Sequence, residues 1–283
     1  MKEYQFKVGV SLSLGESPNE DENLQALVSS RMDYLEIGYR SYCDDPAWTR
    51  SVREKLDASP VRINSVHAPF SSEVDISRLD DGGQEFALEQ IDRAIKMAER
   101  LGAGIVVVHG SAEPIEEDER AKRLDKSRSG LEILSRHVQS SGVRLALEVL
   151  PRTCLGNTVD ELLMLLADVP QEHTGACLDA NHLADPGQLP DAVRQLGERI
   201  ITLHISDYDG VDERHWMPFR GIVDWGAFAN ALRDIEYDGA FIYETKPEEG
   251  DTLEEKLVIM HSNFQRILDS ANMLASGVRR AYS

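Results

Sequence analysis

Short runs of β-branched and other apolar residues recur along this chain, each followed by a longer stretch whose apolar positions return every three or four residues. The short runs read as strands at 6–12, 34–38, 62–69, 105–110, 144–150, 174–179, 201–207 and 239–245. The longer stretches read as helices at 22–31, 46–58, 84–101, 121–140, 158–167, 189–196, 225–235 and 253–274. In the clearest of these, Leu88, Ile91, Ala94, Ile95 and Ala98 form one stripe, with Glu89, Arg93, Lys96 and Glu99 turned away. Parallel strands need a crossover between them, and every gap here is long enough to hold one helix. Eight strand–helix units, with no G-x-G-x-x-G after the first strand, predict an α/β fold closed as a (β/α)8 TIM barrel rather than an open doubly wound sheet. No linker-like or low-complexity tract divides the chain, so we read a single domain over 1–283, with a core of about 6–275 and a disordered tail at 276–283.

Composition narrows the function classes. The 283 residues include 41% hydrophobic positions, enough for a large core. Thirty basic against fifty acidic residues give a net charge of −20, which disfavours nucleic acid as a partner because phosphate binding needs Lys and Arg to displace counterions. Cys43, Cys154 and Cys177 lack C-x-x-C spacing, so they read as reduced thiols rather than a disulfide framework or zinc site. The N-terminal stretch turns polar after a few apolar residues and lacks a cleavage pattern, and no run reaches the roughly 20 apolar residues of a membrane span. The expectation is a cytoplasmic protein with no membrane partner, and nothing in the pattern opposes a homo-oligomer.

A barrel of this kind carries its chemistry at the C-terminal ends of its strands. The polar residues there are Glu36, His67, His109, Glu148, Asp179 with His182, His204 with Asp207, and Glu244; His215 follows in the seventh strand–helix loop. His137, His173 and His261 fall in helical or loop patterns and read as solvent-facing. Residues two apart on a strand share a face, which groups Ala146 with Glu148, Cys177 with Asp179, Thr202 with His204 and Ile242 with Glu244. If those faces point inward, three carboxylates and one imidazole meet at the mouth. Buried carboxylates without partners are costly, so such a cluster calls for a cation. Oxygen donors with one imidazole suit Mn²⁺ best, with Mg²⁺, Co²⁺ or Zn²⁺ as alternatives. Each carboxylate alone is as well explained by a structural ion pair; the set of four is not. Charges at Arg152, Asp207, Arg214 and Arg220 sit near or in long loops, where they usually serve solvation.

The motifs VHAP, VVVHG, LEVLP, CLDANH, LHISD, DERHWMPFRGIVDW and YET, in this order from about Val8 to Glu244, resemble the sugar phosphate isomerase/epimerase group of xylose isomerase-like TIM barrels. The resemblance implies a single metal site of Glu148, Asp179, His204 and Glu244, with His182 beside it contacting substrate. By their position at or just beyond strand ends, His67, His109, His215 and Glu36 are further candidate substrate contacts, with His67 and His109 also open to extra metal ligation. The segment HWMPFRGIVDW is similar to a family loop, HLPPGxGxxDW, but Phe219 replaces its first glycine and Trp216–Met217 replace a leucine and a proline. Because that loop shapes the pocket, Arg220 becomes a candidate pocket residue.

The activity implied is sugar isomerisation or epimerisation by proton transfer next to a metal-bound carbonyl, through an enediolate, with Glu148 and Glu244 as acid and base. A dehydratase of the inosose or dehydroshikimate type is the alternative, because the same enolate can expel a β-hydroxyl. An endonuclease IV-type reading also fits, since His67, His109, Glu148, Asp179, His182, His204, His215 and Glu244 match positions that hold three zinc ions in that branch, with Glu213 in place of an aspartate. The acidic net charge opposes it. A non-enzymatic sugar-binding barrel leaves the convergent carboxylates without a purpose.

Overall fold

Eight parallel strands close on themselves in chain order, β1 to β8, each followed by a helix. The strands are β1 (Lys7–Leu12), β2 (Tyr34–Gly38), β3 (Arg62–His67), β4 (Ile105–Val108), β5 (Arg144–Glu148), β6 (Thr174–Asp179), β7 (Ile200–Ile205) and β8 (Ala240–Tyr243). The helices are α1 (Glu20–Val28), α2 (Pro46–Asp57), α3 (Asp81–Leu101), α4 (Glu117–Val138), α5 (Val159–Leu165), α6 (Leu189–Leu196), α7 (Trp225–Asp234) and α8 (Leu253–Ala275). The computed structural model describes residues 6–14, 20–245 and 249–276. Most of the expected tail, 277–283, lies outside them, while Ser276 caps α8.

Local chemistry explains the helix starts. Asp45 accepts the Ala47 N–H at 2.8 Å ahead of Pro46 in the first turn of α2, and Asp80 accepts the Gly83 N–H at 2.7 Å at the head of α3. Gly102, at φ 73°, ends α3 in a left-handed cap. Thr252 and Glu255 form a reciprocal capping box on α8. Several expected bounds shift. α4 begins a turn earlier than its apolar pattern because Glu117, Asp118 and Glu119 favour a helix N-terminus without contributing to the stripe. β3, β4, β5, β7 and β8 stop two residues short of the runs that mark them, since the last residues of each run lead into the loops at the mouth.

Two features position the site. Pairing between β2 and β3 passes from Leu35↔Ile63 to Glu36↔Ser65, so Asn64 is an extra residue. This bulge brings Ser65 and Glu36 together, and the Ser65 hydroxyl donates to Glu36 Oε2 at 2.6 Å. Val107, Ala146 and Cys177 form a small apolar cluster of their own, apart from the main core. Glu148 and Asp179 lie two residues further along β5 and β6, on the same faces as Ala146 and Cys177. All three cysteines are buried and free. His137 is exposed, whereas His173 and His261 are half-buried rather than solvent-facing.

Candidate active site at the barrel mouth

Glu148 ends β5, Asp179 ends β6, His204 lies on β7, and Glu244 follows β8, where its backbone N–H still donates to Ile205 O at 3.2 Å. Parallel pairing sets Asp179 directly beside His204. One potential donor atom from each of these four residues lies within 4.8 Å of the others. His204 Nδ1 is 3.0 Å from Glu148 Oε1, 3.4 Å from Glu244 Oε2 and 3.8 Å from Asp179 Oδ2. Asp179 is fully buried; Oδ1 accepts the Asn181 N–H at 2.6 Å, but Oδ2 has no hydrogen-bond partner. An unpartnered buried carboxylate oxygen facing an imidazole and two more carboxylates suits a cation donor set.

The histidines surround Glu148. His67 Nε2 lies 3.2 Å and His109 Nε2 3.0 Å from its Oε2. His182 Nδ1 is 3.6 Å from both Glu148 Oε1 and Asp179 Oδ2, and is 2.8 Å from Val149 O. Burial alone would lower the pKa of His67, but the hydrogen bond it donates to Glu148, together with the charges of Glu148 and Glu36, outweighs it and raises the imidazole to about 9. His182 is likewise held at about 10 by Asp179 and Glu213 against its burial, while burial wins at His109 and lowers it. Burial raises the Asp179 carboxyl to about 6. Glu148 moves the other way, well below the usual carboxylate range, because His204 and His109 outweigh its burial.

A cavity of about 300 Å³ opens above this cluster. His67, His109, Glu148, His182, His215 and Glu244 all lie in its wall; Asp179 and His204 do not, but both touch residues that do. Two residues expected at the substrate are placed elsewhere. Glu36 is fully buried away from the cavity, 3.1 Å from His204 Nε2 and bonded to Ser65, so it orients the imidazole instead. Burial would raise its pKa, but His204 outweighs it and holds it at about 2. Arg220 is exposed and outside the wall, because a tight turn joins its N–H to Met217 O at 3.2 Å.

Other loop charges prove to be structural or to line the cavity. Asp207 is buried rather than solvated: it accepts N–H groups from Tyr208, Phe219 and Val223 and the Trp225 indole at 2.9 Å. Arg152, at φ 51°, bonds Glu113 and Glu213 across the mouth and reaches Asp212 at 3.4 Å. Glu213 Oε2 in turn lies 3.8 Å from both His182 Nε2 and His215 Nε2. Arg152, Glu213, Glu113 and the exposed Phe70 all line the cavity, and none is among the strand-end candidates. Loop residues carry no periodic signal; only the position of Glu213 within DERHW pointed toward it.

Comparisons with known proteins agree with this architecture. The family described as xylose isomerase-like TIM barrel matches residues 24–262. An uncharacterized protein of Methanocaldococcus jannaschii is 28% identical over 248 residues, covering 85% of this chain and 84% of that protein. A D-psicose 3-epimerase of Enterocloster bolteae is 28% identical over 143 residues, 49% of this chain and 46% of that enzyme. A solved structure described as a D-tagatose 3-epimerase-like protein superposes with a TM-score of 0.83 at 26% identity, covering 95% of this chain and 100% of that one.

Proposed function

The chain belongs to the xylose isomerase-like TIM barrel family, and from that premise we propose that it is a divalent-metal-dependent sugar epimerase or isomerase. The observation that carries this reading is the buried, unpartnered Asp179 Oδ2 beside Glu148, Glu244 and His204. Those four residues would hold the ion, Mn²⁺ by preference with Mg²⁺, Co²⁺ or Zn²⁺ as alternatives. When bound, a divalent ion supplies the positive charge that favours an enediolate over the neutral ketose. Relatives named as psicose and ketose 3-epimerases support a ketose as the substrate class.

The chain's own groups divide the remaining work. Glu148 is held ionised and is ready to accept a proton from the carbon next to the carbonyl. Glu244 enters from β8, three strands around the barrel from β5, and would return the proton from the other side. His67 and His109 restrain the Glu148 carboxylate through Oε2, while His182 and His215 offer ring nitrogens in the wall for sugar hydroxyls. Glu148, His67 and His182 are buried, so these groups need little reorganisation when substrate enters.

The test is turnover of a ketohexose panel by Mn²⁺-loaded protein in D₂O. An epimerase or isomerase places solvent deuterium at the reacting carbon, and EDTA abolishes turnover. Full activity without metal, or turnover with no deuterium incorporated, overturns the reading. Net loss of water moves it to the dehydratases. Near three ions per chain, filling the neighbouring His67–His109–Glu148 group as well, moves it to the endonuclease IV branch.

A further inference from the structure

The catalytic cavity does not end at its own wall. Ser72, Ala112 and Glu113 line both it and a second cavity of about 390 Å³, which extends over the β3–α3 and β4–α4 loops. The catalytic cavity alone, about 300 Å³, sits at the small end of ligand pockets and suits a single sugar ring. The adjoining space is available for something attached to that ring.

Its lining indicates what that is. Arg78 donates to Asp80 Oδ2 and to Ser72 O, both at 2.9 Å, and Arg123 donates to the buried Asp75 at 2.7 Å. Both guanidinium groups in this wall are therefore paired with carboxylates, Glu113 is itself paired with Arg152, and Glu119 adds further negative charge. A phosphate or carboxylate would find no uncompensated cation here. Hydroxyl groups, which donate and accept, match a wall of paired charges. Within the catalytic cavity, Phe70 stacks one ring face on His109, with centroids 4.0 Å apart, yet is 56% exposed. Its other face is an apolar platform of the kind that covers the C–H face of a sugar.

We infer that the second cavity is a subsite for an additional, uncharged sugar ring, so that the substrate is a ketose carried in a disaccharide or other glycoside. The inference rests on the epimerase or isomerase reading for the first cavity. The reacting ring occupies the cavity of Glu148, Glu244 and Phe70, and the attached ring extends past Ser72, Ala112 and Glu113 toward Arg78 and Glu119.

The test compares fructose with lactulose and isomaltulose, in which the second ring is joined to O4 or O6 of fructose. Binding to the Mn²⁺-loaded protein is followed by calorimetry and turnover by deuterium uptake. Glu119→Trp fills the second cavity, and Glu119→Ala removes one acceptor with little risk to the fold; neither touches the catalytic cavity wall. The expected result is at least one disaccharide bound about tenfold more tightly than fructose, with that advantage lost in Glu119→Trp, reduced in Glu119→Ala, and fructose unaffected by both. Fructose turned over with no gain from either disaccharide overturns the subsite and leaves the epimerase reading standing. A disaccharide bound in a Glu119-sensitive way, with no sugar turned over, supports the subsite and overturns the epimerase reading. Absence of binding by all three sugars overturns the subsite.

Discussion

His204 Nδ1 lies 3.0 Å from Glu148 Oε1, and it is this contact that ties the β5 carboxylate to the β7 imidazole at the barrel mouth. Glu148 Oε2 is occupied separately by His67 and His109. One carboxylate thus organises three imidazoles, and a change there should reach both chemistry and metal binding.

Glu148→Gln keeps the shape but removes a proton acceptor, so turnover should fall by at least about 10²-fold with the fold intact; Glu244→Gln should do the same. His67→Ala and His109→Ala should lower kcat/KM more than melting temperature. Steady-state kinetics alongside thermal denaturation checks this, and normal turnover in both Gln variants would remove the two glutamates from the mechanism.

Without metal, protonated imidazoles offset the buried carboxylates. His67 titrates at about 9 in the folded protein against an ordinary 6.5, so its stabilisation is complete below about pH 6.5 and is lost as pH rises through about 9. The melting temperature of metal-free protein should fall across that window. Because His204 is raised well above its usual value and must lose its proton to bind a metal, Mn²⁺ affinity should rise with pH over the neutral range. Calorimetry in buffers of different ionisation enthalpy should show proton release on Mn²⁺ binding; release of none would contradict the assignment of His204 as a ligand.

Phe219 occupies a backbone conformation that favours glycine, with φ 72°, and the Arg266 guanidinium lies 4.0 Å over its ring. Phe219→Ala keeps the left-handed strain and loses the ring contact, whereas Phe219→Gly relieves the strain. The glycine variant should be the more stable of the two by about 1 kcal/mol in urea denaturation.

Asp207→Ala leaves three backbone N–H groups and one indole N–H without their acceptor, which should cost at least roughly 3 kcal/mol. Bound Mn²⁺ should remain, since no proposed ligand lies in that loop, while KM should rise as His215 and Glu213 lose their positions. Equal loss of metal and substrate affinity would show that the loop also supports the ion site.

The barrel was legible because alternating short and long apolar patterns need few distinctions beyond period and length. Strand-face parity also placed Glu148, Asp179, His204 and Glu244 together, since a period of two is enough to say which residues point inward. It does not give depth. Glu36 points inward yet lies behind His204, and the Asn64 bulge that pairs it with Ser65 leaves no mark in the residue pattern. Arg152, Glu213 and Asp207 lie in loops whose shape is set by specific hydrogen bonds rather than by periodicity. Reading such charges as solvated surface failed wherever one carboxylate collected several donors, as Asp207 does.

The donors gathered by Asp207 belong almost entirely to the main chain, and main-chain N–H groups are indifferent to the side chains they carry. Only Gly221, where a Cβ would collide with Tyr208 O and the Asp207 carboxylate, and Trp225, through its indole, are held to one residue type by this frame. Trp216, Met217 and Phe219 can therefore differ from the HLPPGxG pattern while the loop keeps its path. Of this loop only Glu213 and His215 line the catalytic cavity, so residues 216–219 are free to diverge in sequence behind that wall without loss of the barrel, and can re-aim His215 and Glu213 as they do.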